Sequence, residues 1–353
     1  MSPPPLYLCV DCGGTKTSAV ICNTAGQVVG RALGGPSNFS YLGARRYSNP
    51  ICPNFLYIYL RSGLIPFVKV LQTTVEQALA TSVVLSSADV DSSLVGKFAS
   101  VWIGVSGVDS PNDIHMLTTT LSPLFAIPPG NRLQVTNDAN LLASPLRVHV
   151  ELRSAVTVIA GTGSVVISFS RGGNQGSQAL GPTPFKEMAR VGGWGWILGD
   201  VGSGFEVGRE ALREILTRAD RLAVYGTPTP IQNNPMSLQS RVLEYFGITA
   251  IPDLFGVVYS PDPLPPSVER LLSKTMLQPN HTSSVMEHDF PVSGSHQTSL
   301  LPRERRLSQL TPLVFQAAFE DGDELALTVV KRCAGCLAHQ IASVLVCPTE
   351  TSR

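Results

Sequence analysis

Residues 6–23, LYLCVDCGGTKTSAVICN, decide the fold. Leu6 to Asp11 reads as a buried strand, Cys12-Gly-Gly-Thr as a turn, and Thr17 to Asn23 as a second strand. Ala25-Gly26 then turns the chain into a third strand, Gln27 to Ala32. Strand, glycine turn and strand make a β-hairpin, whereas a P-loop runs from strand through glycine loop into helix. The turn also carries chemistry. Consecutive Gly13 and Gly14 let backbone N–H groups approach a phosphate closely. Thr15 adds a hydroxyl donor, and Asp11 at the strand end is placed to hold Mg2+ through water. The competing reading is an ordinary hairpin turn, with glycine chosen only for its backbone freedom.

Outward from this hairpin, Thr73 to Leu85 has helical spacing, with Val75, Leu79 and Val83 on one face. Phe98 to Val105 is a buried strand ending in Ser106-Gly107, and Leu133 to Thr136 a short one ending at Asn137-Asp138. Ala155 to Ala160 is a strand that runs into a second glycine turn, Gly161-Thr-Gly-Ser164. Phe205 to Thr217 reads as an amphipathic helix, and Leu307 to Val346 is helical in pattern. Two strand-rich blocks, each opened by a glycine turn, point to an α/β protein of two related halves around a cleft. Residues 45–67 look like an insertion before the Thr73 helix, and 274–302, rich in Ser, His and Pro, read as a disordered loop.

Two further motifs bear on function. In Thr136-Asn-Asp-Ala-Asn140 a carboxylate, Asp138, stands just past a strand end, where it can act as general base for a substrate hydroxyl. A helix N-cap is the plainer alternative for that aspartate. In Gly192-Gly-Trp-Gly-Trp-Ile-Leu-Gly-Asp-Val-Gly-Ser-Gly204 the glycine content costs too much backbone entropy to be filler. Its tryptophans can pack on a sugar's apolar face and Asp200 can accept from sugar hydroxyls; the alternative is a structural loop with core tryptophans.

The totals narrow the field. At 353 residues the chain is long enough for two domains. Lys plus Arg and Asp plus Glu both total 26, so no basic footprint points to nucleic acid. The seven cysteines are odd in number and clustered at the ends, which argues against a disulfide framework. No signal peptide is read at the start, and the apolar run 55–70 is broken by Arg61, Pro66 and Lys69, so a cytoplasmic protein without a membrane span is expected. Asn38-Phe-Ser and Asn280-His-Thr match the glycosylation pattern by chance on this reading. His281, His288 and His296 are read as solvated, and Cys333-x-x-Cys336, inside a helical pattern, as no metal site.

VDCGGTKT, VTNDAN, IAGTGS and GGWGWILGDVGSG, in this order, resemble the actin-like ATPase superfamily, and within it the N-acetylglucosamine kinase branch of the BadF/BadG/BcrA/BcrD-type ATPases. The resemblance covers roughly residues 6–44, 72–215 and 303–346. It implies two ribonuclease-H-like domains, 1–136 and 137–353, with ATP and an amino sugar meeting in the cleft. Asp11, Gly13, Gly14, Thr15 and Lys16 would form the first phosphate loop, with Asp11 serving Mg2+. Gly161, Thr162 and Gly163 would form the second loop, with Ser164 beside it on the sugar. Asp138 would take the proton of the sugar 6-hydroxyl, and Asn38, Ser106, Gly193, Trp194 and Asp200 would line the sugar pocket. A homodimer stays open. So do a non-catalytic sugar-binding relative and an activator ATPase of the 2-hydroxyacyl-CoA dehydratase type. The family also places a glycine-containing adenosine turn after the last helix; none precedes Arg353, so weak ATP binding is expected of these 353 residues.

Overall fold

The computed structural model describes residues 5–38, 53–82, 93–108, 110–149, 151–171, 185–226, 236–263, 298 and 300–345. They fall into two compact units. One comprises Met1–Val158, Val166–Arg190 and Val344–Arg353, the other Ile159–Val165 and Val191–Ser343.

In the first unit, β1 (Leu6–Cys12), β2 (Thr17–Cys22), β3 (Val28–Gly34), β4 (Phe98–Val105) and β5 (Leu133–Thr136) form one mixed sheet in the order β3-β2-β1-β4-β5. β1–β2 and β2–β3 pair antiparallel, as a hairpin and a meander must. β1–β4 and β4–β5 pair parallel, so helical crossovers carry the chain back. Those crossovers are α1 (Pro53–Ala80) and α2 (Pro111–Phe125). β1 alternates with period two: Leu6, Leu8, Val10 and Cys12 are buried, and Tyr7 and Asp11 are exposed. Against this sheet pack Phe67, Leu71, Val75 and Ala78 of α1, spaced at helical intervals, with Leu117, Leu121 and Phe125 of α2. Ser110 caps α2 by accepting from Asp113 N, with Pro111 at the first position.

The segment expected to be an insertion is helical where it is described. Residues 53–67 belong to α1, continuous with the Thr73 segment and running through Pro66, and Phe67 has no exposed surface. Residues 45–52 lie outside the described residues, as does the end of the expected helix beyond Ser82. Thr81 fixes the last turn of α1 to β3, accepting from Arg31 N at 3.0 Å and donating to Arg31 O at 2.9 Å.

α3 (Ala139–Leu142) and α4 (Pro145–Val148) follow β5. Then β6 (Ser154–Ala160), β7 (Ser164–Arg171) and β8 (Phe185–Gly192) form a three-stranded sheet in that order. In the second unit come α5 (Gly195–Leu198), α6 (Gly204–Tyr225), α7 (Leu238–Phe246) and α8 (Leu254–Tyr259). The helical pattern read over 307–346 resolves into α9 (Arg303–Ser308), α10 (Thr311–Phe319) and α11 (Glu324–Leu345). Phe205, Ala211 and Ile215 of α6 meet Val242 and Phe246 of α7, Val314 of α10 and Val329 of α11 in one core. Two charges are built into it. Arg306 is fully enclosed and donates to the carbonyls of Leu301, Val257, Ser260 and Pro261. Glu210 is buried and accepts from Arg213 at 2.9 Å and Arg332 at 3.1 Å. Burial alone would push its carboxyl up, but these hydrogen bonds and charges hold it below the ordinary range. Of 274–302 only 298 and 300–302 are described; the three loop histidines, Cys52 and Cys347 lie outside the described residues. Among the described residues no single helix is long and apolar enough to cross a membrane.

If residues 53–67 are integral, Phe67→Ala removes a fully buried ring and destabilises the first unit by about 3–5 kcal/mol. Urea unfolding checks this, and a loss under about 1 kcal/mol would mark the segment as peripheral.

Candidate functional site

The parallel register sets the ends of β1, β4 and β5 level: Cys12 pairs with Val105, and Gly104 with Thr136. Ser106 N donates to Cys12 O at 2.9 Å just beyond the last pair. The first glycine turn, Ser106 and Asn137-Asp138 therefore stand on one edge of the sheet. The turn is tight, with Gly13 N donating to Lys16 O at 3.0 Å. The loop after β3 folds back onto it. Ser37 N donates to Gly13 O at 3.0 Å, the Thr17 hydroxyl donates to Gly35 O at 2.7 Å, and the Thr17 and Ser37 hydroxyls share a hydrogen bond of 2.5 Å. This loop delivers Asn38, whose Nδ2 donates to the Ser106 hydroxyl at 2.9 Å. Two residues expected to line a sugar pocket, 68 positions apart, are thus bonded to each other.

Asp138 reaches the same edge by close backbone packing. A Cβ on Gly104 would fall 2.5 Å from Leu141 Cδ1 and 3.0 Å from Asp138 Cα, so β4 needs glycine there. The Cys12 thiol is pushed up to about 12, first by burial; a Ser37 hydrogen bond opposes this, and the charges of Asp11 and Asp138 reinforce it. Cys12 is thus a neutral thiol beneath both carboxylates. The Asp11 residue is exposed, but desolvation by the protein around its carboxyl raises it above the ordinary range while Lys16 pulls it down. Among the described residues no three His, Cys, Asp or Glu side chains form a metal cluster. A cation here would be held by one or two carboxylates, water and a ligand's phosphates, which suits Mg2+.

The second glycine turn lies in the other unit and is stitched to the Gly192–Gly204 block. Gly204 N and Phe205 N, the first donors of α6, give their hydrogens to Gly161 O at 2.7 Å and Thr162 O at 3.2 Å. Gly161 N donates to Gly163 O at 2.9 Å, so both backbone polar groups of Gly161 serve the turn. Ser203 caps α6, its Oγ accepting from Glu206 N, and the Glu206 carboxylate reaches one residue past the cap to accept from Gly202 N. Asp200 sits at the centre. It is only 4% exposed, adopts a left-handed φ of 56°, and its Oδ1 accepts from Ser164 N at 3.2 Å. A Cβ on Gly163 would come within 2.9 Å of that carboxylate and would have to displace it. The Ser164 hydroxyl is turned inward and donates to Val201 O at 2.7 Å. Trp196 packs on Phe205 with ring centroids 5.4 Å apart, whereas Trp194 is 74% exposed. One tryptophan of the pair is structural and the other offers its face to solvent.

Sequence reasoning missed three things here. It did not foresee β7 and β8, which carry Ser164 and Gly192 at their ends. It did not assign the Gly161 and Thr162 carbonyls to capping α6. It also passed over Gln340 of α11, buried behind the turn, whose Nε2 donates to Val201 O at 3.0 Å while its Oε1 has no partner among the described residues. Such a buried, unmatched acceptor costs about 1–3 kcal/mol. The Cys333 thiol, pushed up to about 12 chiefly by burial, faces the α6 core.

Burial raises the Asp200 carboxyl above 3.8, against the opposing Ser164 hydrogen bond. The folded chain therefore favours protonated Asp200 more than the unfolded chain does, and stability held below that value is lost as pH rises. Asp200→Asn stays neutral throughout. The stability of the wild type relative to this variant should thus fall as pH rises above about 4 in urea unfolding; an advantage that grows with pH would show the Ser164 bond outweighing burial.

No family model matches the chain. It is 28% identical over 256 residues to an N-acetyl-D-glucosamine kinase of Dictyostelium discoideum, covering 72% of this chain and 65% of that protein. It is 26% identical over 161 residues to an N-acetylmuramic acid/N-acetylglucosamine kinase of Clostridium acetobutylicum, covering 46% and 43% respectively. The chain thus spans less than two thirds of the length of these curated relatives. Its fold is like that of a solved Chromobacterium violaceum protein, provisionally described as an N-acetylglucosamine kinase. The TM-score is 0.53 at 18% identity, over 98% of this chain and 84% of that one. By sequence the chain is thus similar to N-acetylglucosamine kinases, and its fold is like that of the Chromobacterium violaceum protein.

Proposed function

We propose that this chain carries the machinery of an ATP-dependent amino-sugar kinase, with N-acetylglucosamine as acceptor and N-acetylglucosamine 6-phosphate as product. The observation that supports this most is the single sheet edge that gathers the Gly13 turn, the Asn38–Ser106 pair and Asp138. A phosphoryl donor, a hydroxylated acceptor and a base are the three things such a transfer has to bring together.

In this reading the first unit contributes Gly13, Gly14, Thr15 and Lys16 to the phosphates, and Asn38 and Ser106 to the sugar. The Asp138 carboxylate takes the proton of the sugar 6-hydroxyl. The oxygen left behind bonds to the γ-phosphorus as the bond from that phosphorus to the β–γ bridging oxygen breaks, and ADP leaves with the electron pair. Mg2+, when bound beside Asp11, spreads the charge on the phosphates. The same reading assigns Thr162 and Gly163 to the nucleotide. The exposed Trp194 ring offers its face to the apolar side of the sugar with Gly193 beside it, while Ser164 and Asp200, turned inward, act on the sugar through the shape of the turn. Gly161 acts through turn shape, since its own polar groups are engaged. The same reading divides the chain near residue 136, places the protein in the cytoplasm, and allows a homodimer.

A coupled ADP-release assay with Mg-ATP and a panel of N-acetylglucosamine, glucosamine, N-acetylmannosamine and glucose tests this. Turnover is expected on N-acetylglucosamine, falling about 10²–10⁴-fold in Asp138→Asn with sugar binding retained. Sugar binding without turnover would support a non-catalytic relative instead, and turnover undiminished in the variant would remove Asp138 as the base.

A further inference from the structure

α11 backs the Gly192–Gly204 block to which the second glycine turn is stitched, and three of its residues reach that block. The Cys333 carbonyl lies 3.1 Å, and Leu337 Cβ 2.7 Å, from the place a Cβ would take at Gly202. Next along the same helical face comes Gln340, 7% exposed, whose Nε2 donates to Val201 O at 3.0 Å. That carbonyl also receives the Ser164 hydroxyl at 2.7 Å. Gln340 Oε1, without a hydrogen-bond partner among the described residues, faces the space at Gly192, 3.1 Å from where a Cβ would stand. The opposite amide orientation would set Oε1 against the Val201 carbonyl oxygen, so the N–H must face it. A leucine or methionine would fill the volume without stranding an acceptor. The amide is therefore useful for its donor half.

We infer that Gln340 is a positioning residue for the second glycine turn, clamping the Val201 carbonyl so that Asp200 and Ser164 hold the turn in one conformation. The route is short. Val201 O is shared by Gln340 and Ser164, and the adjacent Asp200 takes the Ser164 N–H at 3.2 Å against Gly163. Without the Gln340 N–H, the Val201 peptide keeps only the Ser164 hydroxyl of this pair and can rotate. Asp200, already in a left-handed conformation, then loses the fixed neighbour that holds it there. Gln340 acts wholly through Val201. What this does to nucleotide or sugar affinity rests on the kinase reading above, but the effect on the turn does not.

Gln340→Met keeps the volume and removes the donor. Gln340→Glu keeps the shape and sets a second acceptor against Val201 O. The measurement is hydrogen–deuterium exchange on the full chain, followed on peptides covering residues 160–166 and 190–204. Exchange in both segments is expected to rise about tenfold in Gln340→Met and further in Gln340→Glu, with α6 and α10 exchanging as in the wild type. Ser164→Ala, which removes the other bond to the same carbonyl, should speed the same two segments. Unchanged exchange there in Gln340→Met overturns the proposal, and so does a uniform rise across the unit, which would mean general loosening. A chain that turns over no sugar would remove the kinase reading and leave this result standing.

Discussion

The bond from Ser106 N–H to the Cys12 carbonyl, 2.9 Å long, fixes how far β4 runs beside β1, and β5 takes its register from β4 in turn. A slip of one residue would turn every side chain to the opposite face. Asp11 would then enter the core and Cys12 would leave it. The core and the functional edge are therefore specified together, because the alternation that buries Leu8, Val10 and Cys12 is what exposes Asp11. The buried hydroxyls of Thr17 and Ser37 extend the same logic into the loop. They fold residues 35–38 onto the turn with hydrogen bonds that water cannot contest, so Asn38 arrives on the edge already paired with Ser106.

The second glycine turn is built on another principle. Its backbone is engaged by its neighbours: the Gly161 and Thr162 carbonyls cap α6, and the Ser164 hydroxyl and N–H are both occupied. What holds it is a buried carboxylate pressed against a glycine, a costly arrangement unless geometry is the object. A glycine at 163 admits the carboxylate, a left-handed Asp200 aims it, and left-handed glycines at 192, 193, 195 and 202 let the backbone wind around it. The glycine content of this block is accounted for by that winding.

Much of this is legible in the sequence because local rules and tertiary demands agree there. Alternation marks β1 and β2, and glycine after a buried strand marks both turns. The start of α1 is not legible, because Pro66 and the Tyr-rich run before it look like interruptions locally, and only packing of Phe67 on the sheet settles them as helix. β7 and β8 stay hidden since continuous apolar runs such as that at Val165–Ile167 do not tell strand from helix. Asp200 reads from its motif as facing a ligand. Its carboxylate turns inward because it meets Gly163 and the Ser164 N–H, the latter 36 positions away along the chain, a contact without local signature. Gln340, 139 positions from Val201, is as silent for the same reason.

Asp138 raises the question of cap against base, and the geometry bears on the cap. A helix N-cap has extended backbone and accepts from the second or third helical N–H. Asp138 is instead helical, at φ −57° and ψ −32°, and the α3 donor its Oδ1 takes is the adjacent Ala139 N. Asn137 already serves that N–H, its Oδ1 accepting at 3.0 Å while its Nδ2 is anchored on Val108 O at 3.2 Å. The turn would keep its bond to Ala139 N if Asp138 were lost, and a four-residue helix gains little from a second acceptor on the same hydrogen. Capping of α3 therefore does not require this acidic side chain, which stands on the same edge as the first glycine turn and the bonded Asn38–Ser106 pair.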